Sequence, residues 1–148
     1  MAFLDSLNIA GSGLTATRLR MDVISENIAN ASTTRTESGG PYRRQMVVYQ
    51  SVKNQSFQQL LNSNVINAKS TSKGGVKVQE IVEDQSDFTP VYNPSHPDAD
   101  ENGYVMMPNV NPIQEMIDMM AATRAYDLNL SAVNAIKSMA SKALEIGR

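Results

Sequence analysis

The sequence predicts a mainly α chain, with long N- and C-terminal helices that pair as a coiled coil and a small β-rich and irregular insertion between them. Three observations predict it. Residues 111–146 are rich in Ala and Met, lack glycine, and hold no proline beyond Pro112. From Leu7 a seam recurs at alternating steps of three and four, through Ala10, Leu14, Thr17, Met21, Ile24, Ile28 and Ala31, the spacing of a helix facing a helix. Aromatic residues make up only 5% of the 148 residues and Trp is absent, so apolar content sits in aliphatic side chains at helical spacing. Three segments follow: 1–34, the first helix and its end; 35–110, the insertion, with a mobile loop over 51–73; and 111–148, the last helix.

The first helix is expected over residues 2–31. Gly11 and Gly13 weaken its start, each by about 1 kcal/mol relative to Ala, so a good seam is carried by a marginal helix. Its end is signalled by Asn27-Ile28-Ala29-Asn30-Ala31-Ser32-Thr33-Thr34, whose polar side chains compete for backbone hydrogen bonds. Glu37-Ser38-Gly39-Gly40-Pro41 reads as a turn. Tyr42–Gln50 reads as a strand, since Met46, Val47, Val48 and Tyr49 favour one. Residues 51–73 are polar, without sustained period, and read as a loop. Val76–Val82 alternates as a second strand. Prolines 90, 94, 97 and 108 make 87–110 extended and irregular, with a short strand at Tyr104–Met107.

The last helix has Asn111 as N-cap, Pro112 at the first helical position and Gly147 as the closing glycine. Its length is roughly 50 Å, too long for a domain of this size to cover along one face. One apolar stripe runs through Met116, Met119, Tyr126, Leu130, Val133, Ala140 and Leu144. A second runs through Ala121, Ala125, Leu128, Ala132, Ile136, Met139, Ala143 and Ile146. Either this is the core helix of an ordinary bundle, or it takes partners on both sides; the chain offers only one other long helix, which favours assembly.

Net charge is −2, but it divides unevenly. Residues 1–77 carry nine basic side chains (Arg18, Arg20, Arg35, Arg43, Arg44, Lys53, Lys69, Lys73, Lys77) against Asp5, Asp22, Glu26 and Glu37. Residues 78–148 carry four basic against eleven acidic. No basic stripe with interleaved rings is formed, so nucleic acid is not expected as a partner. Arg43 and Arg44 are expected to meet acids of a neighbouring copy, such as Glu83, Asp84 or Asp87, with pairing inside one subunit as the plainer alternative. There is no cysteine, which excludes disulfides and thiolate metal sites. No run reaches membrane-spanning length, and Met1-Ala2-Phe3-Leu4-Asp5 does not open a cleaved secretory signal.

Catalytic and metal readings find little to build on. Asp98-Ala99-Asp100-Glu101-Asn102-Gly103 matches the first six positions of a calcium-binding loop, but position twelve is Asn109 instead of a bidentate Glu, and Pro94 and Pro97 block the entering helix. His96 is the only histidine, and a Ser-His-Asp arrangement would need it without a nucleophile elbow. Gly11-Ser12-Gly13 and Gly39-Gly40 fit no phosphate-binding pattern. No enzymatic activity, cofactor or small-molecule substrate is expected.

The helix-ending stretch Asn27–Thr34 resembles the flagellar axial family of rod, hook and hook-associated proteins. So does Gly40-Pro41-Tyr42-Arg43-Arg44, and so does Met120-Ala121-Ala122-Thr123-Arg124-Ala125-Tyr126-Asp127-Leu128-Asn129. The run from Val91 to Val105, with Tyr92-Asn93-Pro94-Ser95-His96-Pro97, narrows the resemblance to the proximal-rod members. The resemblance covers nearly the whole chain and is weakest over 51–73. It implies a structural subunit that passes the flagellar type III export apparatus without signal cleavage and polymerises helically with itself and other flagellar rod proteins. It also implies a place in the basal-body rod, crossing the periplasm or cell wall, where the polymer transmits torque and walls the export channel. A soluble coiled-coil adaptor or export chaperone is the alternative. The residues expected at the assembly interface are Leu7, Leu14, Met21, Ile24, Ile28, Asn27 and Asn30 from the first helix and its end, Arg43 and Arg44 after it, and Met119, Tyr126, Leu128, Leu130, Val133, Ile136, Met139 and Leu144 from the last.

Overall fold

The computed structural model describes residues 2–37, 39–52 and 74–146. The expected loop over 51–73 lies outside the described residues from 53 onward, as does the closing glycine Gly147. The element order is α1 (Ala2–Ala29), β1 (Gln45–Ser51), β2 (Val76–Glu83), β3 (Thr89–Tyr92), β4 (Tyr104–Met107) and α2 (Pro112–Ile146). Among the described residues two long helices thus enclose, in sequence, two small two-stranded sheets, β1 with β2 and β3 with β4.

Helix α1 ends where its polar side chains begin to capture carbonyls. The Asn30 amide donates to Glu26 O at 3.0 Å, and Thr33 Oγ1 donates to Asn30 Oδ1 at 3.1 Å. This is the expected competition, and it stops the helix two residues short of the expected Ala31. Helix α2 begins as expected. Asn111 Oδ1 accepts from the N–H groups of Ile113 at 3.1 Å and Gln114 at 3.4 Å, filling donors the first turn leaves open.

Strand β1 starts three residues later than the expected Tyr42, because the preceding backbone is engaged elsewhere. Tyr42 N donates to Thr33 O at 3.1 Å, and Arg44 N donates to Asn109 Oδ1 at 2.8 Å. Its pairing with β2 is bounded by Asp84 N to Arg44 O at 2.8 Å and Val52 N to Gly75 O at 2.9 Å, an antiparallel arrangement. Strand β4 has the expected range, but its partner β3 was hidden by proline. The register is Thr89 with Met107, Pro90 with Met106, Val91 with Val105 and Tyr92 with Tyr104. A proline without an N–H is tolerated in a strand that has one neighbour only. The segment with the partial calcium-loop pattern is the turn that joins β3 to β4. Gly103 sits there at φ +79°, and an added Cβ would lie 3.0 Å from Tyr92 Cε2 and 3.2 Å from Pro94 Cβ, so both conformation and space require glycine.

The chain divides into two compact units, the first drawing on three stretches and the second on two. The first comprises Met1–Arg18, Tyr49–Gln79 and Arg124–Arg148. Among the described residues its buried apolar side chains are the small Ala10 and Ala16. Ser12 Oγ donates to Ile9 O at 2.7 Å and accepts from Val76 N at 3.1 Å, and Tyr49 OH reaches Ala16 O at 3.4 Å. Gly13 is more than a weakness in the helix: an added Cβ would lie 3.1 Å from Asn129 Oδ1, so its bare Cα permits the close approach of α2. The second unit comprises Leu19–Val48 and Glu80–Thr123. It buries Val23, Ile24, Val105 and Ala122 and, beside them, two polar side chains, Asn27 and Glu115, each only 1% exposed.

Candidate assembly interface

Helix α1 carries its expected seam inward. Ile24 is buried, and Leu7, Leu14, Met21 and Ile28 are half-buried. Asn27 is fully enclosed and Asn30 is half-buried beyond the helix end. On α2 neither expected stripe is sheltered as a whole. The inward line is Glu115, Met119, Ala122, Tyr126, Asn129, Val133, Ile136 and Ala140, stepping four, three, four, three, with Asp118 half-buried beside it. They take members of both expected stripes, because a helix meeting a helix shelters a line of alternating three and four, whereas the drawn stripes each straddled two such lines. Leu128 (72% exposed), Leu130, Met139 and Leu144 (77%) point outward, as do Ile113, Met116, Ile117 and Met120. Helix α2 therefore presents a long apolar surface to solvent, of the kind that marks an interaction site.

In the second unit the end of α1, the start of β1 and the first turn of α2 meet in a polar junction. Asn27 uses all of its hydrogen-bonding capacity there. Nδ2 donates to Gln45 O at 2.9 Å and to Glu115 Oε2 at 3.1 Å, while Oδ1 accepts from Gln45 N at 2.9 Å and from Tyr42 OH at 3.0 Å. Its amide thus bonds Gln45 as a neighbouring strand residue would, tying α1 to β1. Glu115 accepts a 2.6 Å bond from Arg44 Nε on its other oxygen. Among the described residues no buried side-chain nitrogen or oxygen is left without a partner, as burial of polar groups demands.

Arg44 spreads over three carboxylates. Beyond Glu115 it lies 3.7 Å from Asp84 Oδ2 and 3.8 Å from Asp118 Oδ2, and Arg20 reaches the other oxygen of Asp118 at 3.3 Å. Arg44 therefore meets Asp84 within its own chain, the plainer alternative and not the expected neighbouring-copy contact. Arg43 donates to Asp84 O at 3.2 Å, and its guanidinium lies over the Phe88 ring at 4.4 Å. Asn109 braces the junction, accepting from Arg44 N and donating to Asp84 O at 3.0 Å and Ser86 Oγ at 2.9 Å. The exposed pairs contribute about 0–1 kcal/mol each. The Arg44–Glu115 bond is different in kind, because one partner is out of water and the bond is charge-assisted.

Two titrations are shifted here. Burial pushes the Tyr42 phenol up, helped by the nearby charges of Glu26, Glu115 and Glu83, which favours the protonated form that donates to Asn27. The Ser86 N–H and hydroxyl, with Arg44 behind them, hold the Asp84 carboxyl below its ordinary value against some desolvation. A carboxylate lowered in the folded state adds stability that is complete above its unfolded pKa and is lost as pH falls through the folded value. Asp84→Asn should therefore flatten the acid limb of the stability curve, measured by urea unfolding between about pH 7 and about pH 3; an unchanged limb would remove Asp84 from the account.

Sequence reasoning missed Glu115, Asp118, Arg20, Tyr42 and Asn109 as junction residues. Glu115 had a readable signal: it falls on the line 115, 119, 122, 126, a carboxylate where apolar residues follow. Its place in the first turn of α2 also suits the positive end of the helix dipole. His96 remains local, its Nδ1 accepting from Asp98 N at 3.1 Å. Among the described residues no group of three His, Cys, Asp or Glu could hold a metal ion, and no helix is long and apolar enough to cross a membrane.

Comparison with known proteins converges on one family. Residues 7–35 match the family described as flagella basal body rod protein, and residues 101–146 match the flagellar basal body rod FlgEFG protein C-terminal family. The chain is 49% identical to the flagellar basal-body rod protein FlgC of Bacillus subtilis (strain 168), over the whole of both chains. It is 44% identical to that of Borreliella burgdorferi, over 99% of this chain and 98% of the relative, and 40% identical to that of Escherichia coli O157:H7 over the whole of both.

Proposed function

The chain belongs to the FlgC family of flagellar basal-body rod proteins, and from that membership we propose how its two helices serve the rod. It is a structural subunit of the basal body, assembled with other rod components. This sets aside the soluble adaptor. In our reading the segments 1–34 and 111–148 are the assembly arms, paired as a coiled coil within the subunit, and 35–110 is the inserted region between them. Subunits polymerise helically through these arms, with one another and with other rod proteins. The polymer forms the drive shaft that carries torque and the wall of the channel through which later subunits pass. The chain reaches its place through the flagellar type III export apparatus, without a cleaved signal. No catalytic step enters this reading.

The observation that carries it is the outward apolar surface of α2. A side chain such as Leu144, 77% exposed, or Leu128, 72% exposed, gains nothing from the fold of its own chain. Burying one such side chain is worth about 1.5–3 kcal/mol, and a helical polymer repeats that gain at every subunit. The natural absence of cysteine makes a direct test available. A cysteine placed at Met139, 62% exposed, should react with a maleimide in the free subunit and be protected in detergent-resistant basal bodies. Equal labelling in both would defeat the assignment of α2 as an assembly arm.

A further inference from the structure

We propose that Asn27 and Glu115 form a register key, which selects one alignment of α1 against α2 over the alignments that a repeating seam would otherwise accept. Both helices present lines that step by three and four. Along such a line a displacement of one heptad exchanges Met119 with Tyr126, Tyr126 with Val133, Ala122 with Asn129 and Asn129 with Ile136. Apolar contact alone therefore discriminates weakly between neighbouring registers, and one buried polar residue can decide between them.

Within the second unit the polar pair supplies that decision. Asn27 and Glu115 are each 1% exposed and bond at 3.1 Å. Asn27 is anchored by Gln45 and Tyr42, and Glu115 by Arg44, so a helix that slides must break these bonds. A displacement of α2 by one heptad in the direction that keeps a helix opposite Asn27 would place Ala122 there. It would also carry the Glu115 carboxylate past the end of α1, away from Arg44. The structure thus assigns Glu115 the part of a positioning residue, acting on helix alignment through Asn27 and Arg44.

Cross-linking reads register directly. Thr123 Oγ1 approaches Met21 Sδ at 3.8 Å, so M21C/T123C reports the native alignment, and M21C/L130C reports the alignment displaced by seven. In the full-length chain, a short bifunctional maleimide should link the first pair about tenfold more than the second. In the Glu115→Leu background the seam becomes more apolar, helical content by circular dichroism should be kept, and the preference should fall to about twofold or less. Retention of the full preference in folded E115L overturns the proposal.

If E115L loses its helical signal, the reciprocal exchange decides instead. Asn27→Asp sets two carboxylates against each other, Glu115→Gln turns one amide donor toward either Asn27 Nδ2 or Arg44 Nε, and N27D/E115Q together restore one donor to one acceptor. The double variant should form the native cross-link about fivefold better than N27D alone. No recovery over N27D means that the contact does not select register, and the proposal fails.

Discussion

Replacing Arg44 with alanine should lower the stability of the chain by about 3 kcal/mol, more than any other single charge removal in the junction. Taking one partner from a buried ion pair typically costs about 3–5 kcal/mol, because the remaining charge stays out of water without compensation. Glu115 is 1% exposed, and its Oε1 accepts the 2.6 Å bond from Arg44, while Oε2 accepts from Asn27. The Arg44 side chain is 25% exposed, so water reaches the site in part, which places the expectation at the lower end of that range. Removing Arg20 should cost about 1 kcal/mol or less, since its pair with Asp118 is solvated on both sides. Arg44→Lys should recover only part of the loss: an ammonium keeps the charge but not the fork that reaches Glu115 and two aspartates together. Equilibrium unfolding in urea measures all three. A loss in Arg44→Ala as small as that in Arg20→Ala would show that Glu115 is not held as a buried charge.

How far the sequence could be read follows from which signals are local. The bounds of α2 were legible because Asn111, Pro112 and the unbroken helical composition act within a few residues of where they stand. The range of β4 was legible for the same reason. The seam of α1 was legible because Leu7, Leu14, Met21, Ile24 and Ile28 repeat along one line, and each is at least half-buried. Strand β3 was not, since Pro90 argues against a strand unless the strand has only one neighbour, and neighbours are not written locally. The division of α2 into an inward line and an outward surface was not, because Met119 and Leu130 look alike until α1 is set against one of them. The junction was least legible. Asn27, Tyr42, Arg44, Asn109 and Glu115 are separated by up to 88 residues; Asn27 and Arg44 were expected at contacts between subunits, and none of the five points to the others. Arg44 was suspected from charge asymmetry, with Asp84 among its partners. Its strongest partner was overlooked because Glu115 stands one residue before the apolar stripe as drawn.

Leu128→Asp should leave the free chain folded and abolish rod assembly. Leu128 is 72% exposed, and a surface substitution of this kind usually changes stability by no more than about 0.5 kcal/mol. In the polymer the same position is expected to lie against a neighbouring subunit. A carboxylate buried there without a partner costs several kcal/mol at each repeated contact, more than one leucine contact can return. Leu14→Asp makes the comparison informative. Leu14 is half-buried within its own chain on the inward line of α1, so its carboxylate should lower the unfolding midpoint of the isolated chain and remove assembly with it. The two variants separate folding from polymerisation: both should fail to swim, but only Leu14→Asp should shift the urea transition. Subunit detection in detergent-resistant basal bodies, beside motility of a deletion strain carrying each variant, gives the readout. Normal swimming by Leu128→Asp would take the outward surface of α2 out of the rod interface and leave its exposed leucines and methionines without the role argued for them.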